Sequence, residues 1–275
     1  MRILISNDDG YKAPGIHVLA RVMEPFGEVQ VVAPKFHQSA MSTAVSLGVK
    51  QLAYKKLPEE GPGKWMYLDA TPASCVKFGL HFLYENRDPD LVICGVNHGY
   101  NASTAANYSA TLGAAEEGAI NGIRAIGVSI ADHASDCDFS AVEALLPGIV
   151  RTLWEHWPED APGLYYNVNF PTLPLSRIKG VKMARQGFGH WIKEFEPWDV
   201  NRLGNLTDSF LWQHHLVELE EGEEAVFMRG EFVSDDEDPS RADHLLMMEG
   251  WVTVVPCTAD LTHYRVLEQQ KHLSF

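Results

Sequence analysis

Met1-Arg2-Ile3-Leu4-Ile5-Ser6-Asn7-Asp8-Asp9-Gly10 opens the chain, and a short apolar run here delivers two adjacent carboxylates into a glycine. Ile3 to Ser6 reads as a buried strand. Neighbouring side chains on an extended backbone face opposite sides, so Asp8 and Asp9 converge only where the chain turns. Gly10 supplies the turn. Two converging carboxylates repel unless something positive lies between them, and the simplest such group is a hard divalent cation, which prefers oxygen ligands. The competing reading is an Asx-type turn, in which Asn, Asp and Gly serve the backbone alone. This stretch by itself leaves both open.

Outward from that turn, strands and helices alternate. Gly15 to Met23 carries apolar residues at helical spacing and ends at Gly27, and Glu28 to Ala33 is a second strand stopped by Pro34. Leu47 to Tyr54 and Trp65 to Leu68 read as strands of a hairpin. Pro72 to Tyr84 reads as a helix with Thr71 as N-cap. Leu91 to Gly95 is an apolar strand, Ala110 to Gly118 a helix rich in small residues, Ile126 to Ile130 a strand and Phe139 to His156 a helix. This order predicts an α/β fold with a mostly parallel sheet and helices on both faces.

The later half reads differently. Leu164 to Phe170 and Ile178 to Ala184 are predicted strands. Residues 187 to 212 are aromatic and irregular, and read as a projecting arm that packs on a neighbouring subunit, with packing inside one chain as the alternative. Leu216 to Glu220 and Ala225 to Phe227 suggest a hairpin. Asp243 to Glu249 reads as a short helix stopped by Gly250, and Trp251 to Val255 as a strand.

Composition sets the outer bounds. The 275 residues are 45% hydrophobic and 21% charged, enough for a sizeable core and against wholesale disorder. The formal net charge of −15 repels nucleic-acid backbones. It leaves room for a small anionic substrate, because a metal and a helix terminus reverse the field locally. The acidic runs Glu218 to Glu224 and Asp235 to Asp238 read as solvated loops or hairpin ends. Cys75, Cys94, Cys137 and Cys257 form no C-x-x-C pair, and Cys94 and Cys257 read as core residues. With no signal-peptide pattern and no apolar run of membrane-spanning length, the expected compartment is the cytoplasm.

Polar residues gather at three strand ends. Ile5 leads into Asn7 to Gly10, Ala33 into Pro34 to Ser39, and Cys94 into Gly95-Val96-Asn97-His98-Gly99-Tyr100-Asn101. In an open parallel sheet these loops share one edge, where ligands bind. Asp8, Asp9, Ser39 and Asn97 there would surround one cation with oxygen alone, a set suited to Mg or Mn. The helix after Tyr108-Ser109-Ala110-Thr111 turns its N-terminus to the same edge, where a helix start favours phosphate. Capping alone is the competing role of Ser109 and Thr111. Together these features suggest hydrolysis of a phosphate ester, with Asp8 or Asp9 orienting the attacking water. His37 and His98 flank the site as proton donors or as structural histidines, and Lys35 as a phosphate contact or a solvated residue.

These segments resemble the survival protein SurE family of metal-dependent 5′/3′-nucleotidases. The resemblance runs from Asn7 to Gly10 and Ala13-Pro14-Gly15, through Gln38-Ser39, Thr71-Pro72-Ala73 and Pro89 to Val92. It continues through Val96 to Asn101, Tyr108-Ser109, Thr111, Gly113 to Ala115 and Glu117-Gly118. Asn167-Val168-Asn169, Pro171, Asp243 and Gly250 to Pro256 complete it. It implies a Rossmann-like core over residues 1–130, which binds metal and phosphate. Residues 131–275 would complete the fold and carry exchanged β-hairpin arms, within a homodimer or homotetramer. It implies one divalent ion per subunit on Asp8, Asp9, Ser39 and Asn97, with Asp8, Asp9 and Asn97 as the catalytic set, and a phosphate pocket at Asn101, Ser109 and Thr111. The implied substrates are nucleoside monophosphates, with short polyphosphate in some members, and neither a nucleic-acid duplex nor a membrane is an implied partner. The chain departs from the family pattern at Ala40, where a glycine is usual, at Ser74, an aspartate, and at Cys94, a serine. Ser103 stands for a glycine, Ala105 for an aspartate and Ala110 for a glycine.

Rival classes are weaker on the residues. A haloacid-dehalogenase-type phosphatase needs D-x-D after the first strand, a dehydrogenase needs G-x-G-x-x-G there, and Gly61 to Lys64 runs into Trp65 rather than a Walker A residue. A metal-dependent nucleoside hydrolase and a catalytically weak nucleotide sensor remain as alternatives.

Overall fold

Ile3, Leu4 and Ile5 are all fully buried, which sets their strand mid-sheet with both faces covered. The computed structural model describes residues 1–48, 51–58, 60–84, 88–134, 136–199, 218–228, 230–238 and 240–274. The strands are β1 (Arg2–Ser6), β2 (Glu28–Pro34), β3 (Tyr54–Lys56), β4 (Lys64–Leu68), β5 (Leu91–His98), β6 (Arg124–Ile130) and β7 (Leu164–Phe170). Shorter ones follow: β8 (Val181–Met183), β9 (Gly189–Ile192), β10 (Phe195–Pro197), β11 (Val226–Met228) and β12 (Glu231–Ser234), and then the longer β13 (Val252–Thr258). The helices are α1 (Pro14–Met23), α2 (Pro72–Phe78), α3 (Ala110–Ile120), α4 (Ser140–Glu155), α5 (Asp243–Met248) and α6 (Tyr264–Gln270).

The main sheet runs β3-β4-β2-β1-β5-β6-β7-β13-β8. From β4 through β7 every neighbouring pair is parallel, while β3 and β13 run antiparallel to β4 and β7. This is the expected mostly parallel α/β sheet. Ile3, Ile5 and Ile93 point to one face, against Ile16 and Leu19 of α1 and Val142 and Leu146 of α4. Leu4, Val92 and Cys94 point to the other, against Val76 of α2 and Leu112 and Ala115 of α3. The chain leaves β1 toward β2 on one side and returns as β5 on the other. The crevice between the carboxyl ends of β1 and β5 is therefore the switch point at which such sheets bind ligands.

Several elements differ from the sequence reading. Among the described residues the strand expected over Leu47 to Tyr54 is confined to Tyr54–Lys56, residues 49–50 lying outside them, though its hairpin pairing with β4 holds. The helix from Pro72 stops at Phe78 and continues as one wider turn over Gly79–Leu83. Gly79 presses on the Leu4 side chain, 2.7 Å from where a Cβ would stand, so α2 seats closely on β1 there. Thr71 occupies the N-cap position, but its hydroxyl pairs with Ser74 Oγ at 2.9 Å rather than capping. β11 pairs with β10, not with residues 216–220 as expected. Within that stretch, 216–217 lie outside the described residues and 218–220 form no strand. β9 and β12 form a second two-stranded ribbon, so the aromatic segment does build hairpin arms, although its residues 200–212 lie outside the described part. Nor is the run 235–238 simply solvated, since Asp236 pairs with Arg185 and accepts the Phe188 N–H at 2.6 Å.

Candidate active site at the switch point

The loop after β1 is braced by Asn7, whose Nδ2 donates to Gly10 O at 2.9 Å, while its Oδ1 makes no Asx-turn bond. Gly10 itself has φ +95°, a conformation that suits glycine. This contact uses Asn7 and leaves both aspartates available. The loop after β2 is knitted to it, since Tyr11 N donates to Pro34 O at 3.0 Å and Gln38 N to Asp8 O at 2.7 Å. Ser39 follows directly, with its side chain at the surface.

The third loop reaches the same place through a bulge in β5. Cys94 pairs with Gly127 and Asn97 with Ser129, so β5 holds one residue more than β6 over this interval. Gly95 has φ +129°, and a Cβ there would stand 2.2 Å from Val128 O, which makes it a position for glycine alone. The rim that follows brings His98 N and His98 Nδ1 each to 3.1 Å from Asp9 Oδ2. Asn97 Nδ2 donates to Gly99 O at 2.8 Å.

Asp8 and Asp9 are each only 3% exposed. Burial, reinforced by the Asp9 charge, pushes the Asp8 carboxyl up to about 7, against partial relief from the Thr111 hydroxyl and His37. Burial acts upward on Asp9 too, but His37 and His98 outweigh it and hold Asp9 below its ordinary value. His37 Nδ1 lies 3.5 Å from Asp9 Oδ1. Asp9 Oδ1 and Asn97 Oδ1 are buried acceptors without a hydrogen bond. Buried acceptors in that state are rare and call for an explanation. Two buried carboxylates plus an amide oxygen, with a hydroxyl on the adjoining loop, form a hard oxygen set that fits a divalent cation. Among the described residues no three His, Cys, Asp or Glu side chains gather as a metal cluster.

The expected phosphate residues separate into different roles. Ser109 caps α3, its Oγ accepting Leu112 N at 3.1 Å. Thr111 donates its hydroxyl to Asp8 Oδ1, so it binds the carboxylate pair and not an open pocket. What α3 offers an anion is the backbone N–H of Ala110 and Thr111, in the turn where helical N–H groups lack internal partners. Asn101 is gripped from below. Its N–H donates to Asn169 Oδ1 at 2.8 Å, its C=O accepts Asn167 Nδ2 at 2.7 Å, and its own Nδ2 donates to Ser129 Oγ at 2.7 Å. Asp243, fully buried, accepts the N–H groups of Ser103 and Gly187. The supporting roles of Ser129, Asn167, Asn169 and Asp243 were not readable from sequence, although Asn167, Asn169 and Asp243 lay within the quoted motifs. Ala40 and Ser103, where the resemblance leads to an expected glycine, both have a left-handed backbone, with φ 58° and 55°.

Fold and site together define a doubly wound α/β protein with a buried acidic, oxygen-lined centre at its switch point. The survival protein SurE family model matches residues 3–193, and the chain belongs to that family. It is 35% identical over 268 residues to the 5′-nucleotidase SurE of Cytophaga hutchinsonii, covering 97% of this chain and 94% of that one. It is 34% identical over 271 residues to the 5′-nucleotidase SurE of Bacteroides fragilis, covering 98% and 96%. The crystal structure of the SurE protein from Aquifex aeolicus superposes with a TM-score of 0.76 at 28% identity, covering 98% of each chain.

Proposed function

We propose that the chain is a 5′-nucleotidase, a phosphomonoesterase that converts nucleoside 5′-monophosphates to nucleoside and phosphate with one divalent ion, Mg or Mn, per subunit. The observation that carries this reading is the pair of unbonded buried oxygens, Asp9 Oδ1 and Asn97 Oδ1, beside Asp8 and the start of α3. Asp8, Asp9, Asn97 and, from the adjoining loop, Ser39 would hold the ion. Such an ion polarises a phosphoryl oxygen and brings a water toward ionisation near neutral pH. The chain's own groups do the rest. One of the two carboxylates orients the water, Asn97 with them completing the catalytic set. The N–H groups at the α3 start and the Asn101 amide hold the non-reacting phosphate oxygens. Thr111 keeps Asp8 in place.

The family name of the relatives supports the nucleotide substrate. Hydrolysis of 3′-monophosphates and of short polyphosphate belongs to the same proposal. So do a homodimer or homotetramer, a cytoplasmic location and the division at residue 130. Among the described residues no helix is long and apolar enough to cross a membrane.

The test is phosphate release from nucleoside monophosphates with Mn or Mg and after chelation, beside a binding measurement. Metal-dependent phosphate release is the expected outcome. Release of free base would indicate a nucleoside hydrolase instead, and binding without turnover a nucleotide sensor.

A further inference from the structure

A cavity of about 300 Å³ opens beside the rim. It is bounded by Tyr100 from the rim itself, Pro171 and Leu173 just after β7, Met247 of α5 and Phe232 of β12 in the arm. All its strand-borne walls except Phe232 come from the carboxyl edge of the sheet. Tyr100 lies between Gly99, whose carbonyl Asn97 holds, and Asn101, the proposed phosphate contact. One Cα–Cα step, about 3.8 Å, separates the cavity wall from that contact.

The chemistry of the walls selects the occupant. Beside Thr172 and His244, two aromatic rings, two thioethers, a proline, a leucine and an alanine offer mainly apolar contact, which suits the uncharged part of the substrate and not its phosphate. Phe232 is fixed in place, its ring edge-on to Trp191 at 5.3 Å and to His244 at 5.6 Å. The His244 imidazole is held through its Nε2 by Ser234 Oγ at 2.8 Å, and its Nδ1 lies 3.5 Å from Asp243 Oδ1. The larger groove of about 630 Å³ that Ser109 borders is lined by the ionisable Glu116, Arg185 and Asp260, which makes it a poorer seat for a neutral ring. The volume is at the small end of ligand pockets.

We infer that this cavity is the nucleobase subsite, with Tyr100 from the rim and Phe232 from the arm as its aromatic walls. The inference rests on the phosphomonoesterase reading above and adds where the base sits and what it touches. It also gives the arm a part in substrate recognition.

The test compares two esters that carry the same 5′-phosphate on ribose, adenosine 5′-monophosphate with a base and ribose 5-phosphate without one. In the Mn-loaded full chain, Tyr100→Ala and Phe232→Ala should each lower kcat/KM for the nucleotide about tenfold, the scale of a lost base–aromatic stack. Both should leave kcat/KM for ribose 5-phosphate within about twofold of wild type. Tyr100 is 37% exposed, so its truncation keeps the fold even if loss of Phe232 loosens the arm. Equal losses on both esters, or no loss on the nucleotide from Tyr100→Ala, would overturn the subsite. Failure of the wild-type chain to release phosphate from either ester would overturn the phosphomonoesterase reading itself, and the subsite with it.

Discussion

Replacing Asp8 by Asn should stabilise the metal-free protein while abolishing its metal response. The Asp8 carboxyl titrates near 3.8 when the chain is unfolded and near 7 in the folded chain. Between those values the unfolded state has lost a proton that the folded state still holds. Each pH unit in that window therefore costs the folded state about 1.4 kcal/mol. The protonated carboxyl contributes its full stability below pH 3.8, and that stability is lost as the pH rises through 7. The carboxamide of the variant would carry no charge at any pH and would still offer an oxygen to the Thr111 hydroxyl. Asp8→Asn should then gain about 2 to 4 kcal/mol at pH 8 with chelator present, roughly 5–10 °C in Tm for a chain of this size. Near pH 4 the two proteins should melt together. The assay is thermal unfolding followed by circular dichroism across pH 4 to 8, with EDTA and then with Mn. With Mn the wild type should gain stability and the variant should not. A variant less stable than wild type at pH 8 in EDTA would refute the claim that Asp8 is a buried, repelled carboxyl.

Three further outcomes follow from other contacts. Ser103→Gly should raise stability by about 1 kcal/mol in denaturant unfolding, because Ser103 holds φ 55° and its buried hydroxyl has no partner. Asn169→Ala should lower kcat/KM for nucleotide about tenfold by freeing the Asn101 backbone N–H. In an Asn101→Ala background the same change should add little, which steady-state kinetics on the double mutant would show. Asp236→Ala should speed proteolysis of the arm near residue 188. The Asp236 carboxylate sits below its ordinary pKa because Arg185 and the Phe188 N–H outweigh the opposing effect of burial. Its stabilising effect should therefore shrink in the wild type as well when the pH falls below the ordinary carboxylate range, and be gone only below its lowered folded value.

The central sheet was legible because its strands are long apolar runs ended by Gly, Pro or polar turns, as at Ile3–Gly10 and Glu28–Pro34. The gathering of loops then followed from parallel topology alone. The helix from Pro72 was overextended because apolar spacing does not distinguish an ordinary helical turn from the wider one that starts at Gly79. The partner of the Ala225 to Phe227 strand was misread because strands of three residues such as β10 and β11 carry too little alternation to fix a partner. In the site, the pairing of carboxylates was visible in adjacent letters. The Thr111 hydroxyl bond to Asp8 was not, since it joins positions 103 residues apart. The same holds for Asn167 and Asn169, polar side chains on a buried strand whose use becomes clear only when Asn101 is seen above them. The left-handed backbone at Ala40 and Ser103 shows the opposite case. There the positive φ is adopted by residues that carry a Cβ, which the letters alone do not announce.

The extra residue in β5 changes the parity of everything after it. Leu91 and Ile93 belong to the layer of α1 and α4, Val92 and Cys94 to the layer of α2 and α3. Strict alternation would assign Val96 to the second layer, yet it packs in the first. The odd-numbered Asn97 is thereby carried over to the side of α3, and the even-numbered His98 to the opposite side, edge-on to Phe139 at 5.4 Å. Were β5 to run through the same residues without the bulge, strict alternation would exchange their places, presenting an imidazole to the layer that now receives an amide. Spacing in this loop is thus as strict a requirement as the identity of the residues it carries.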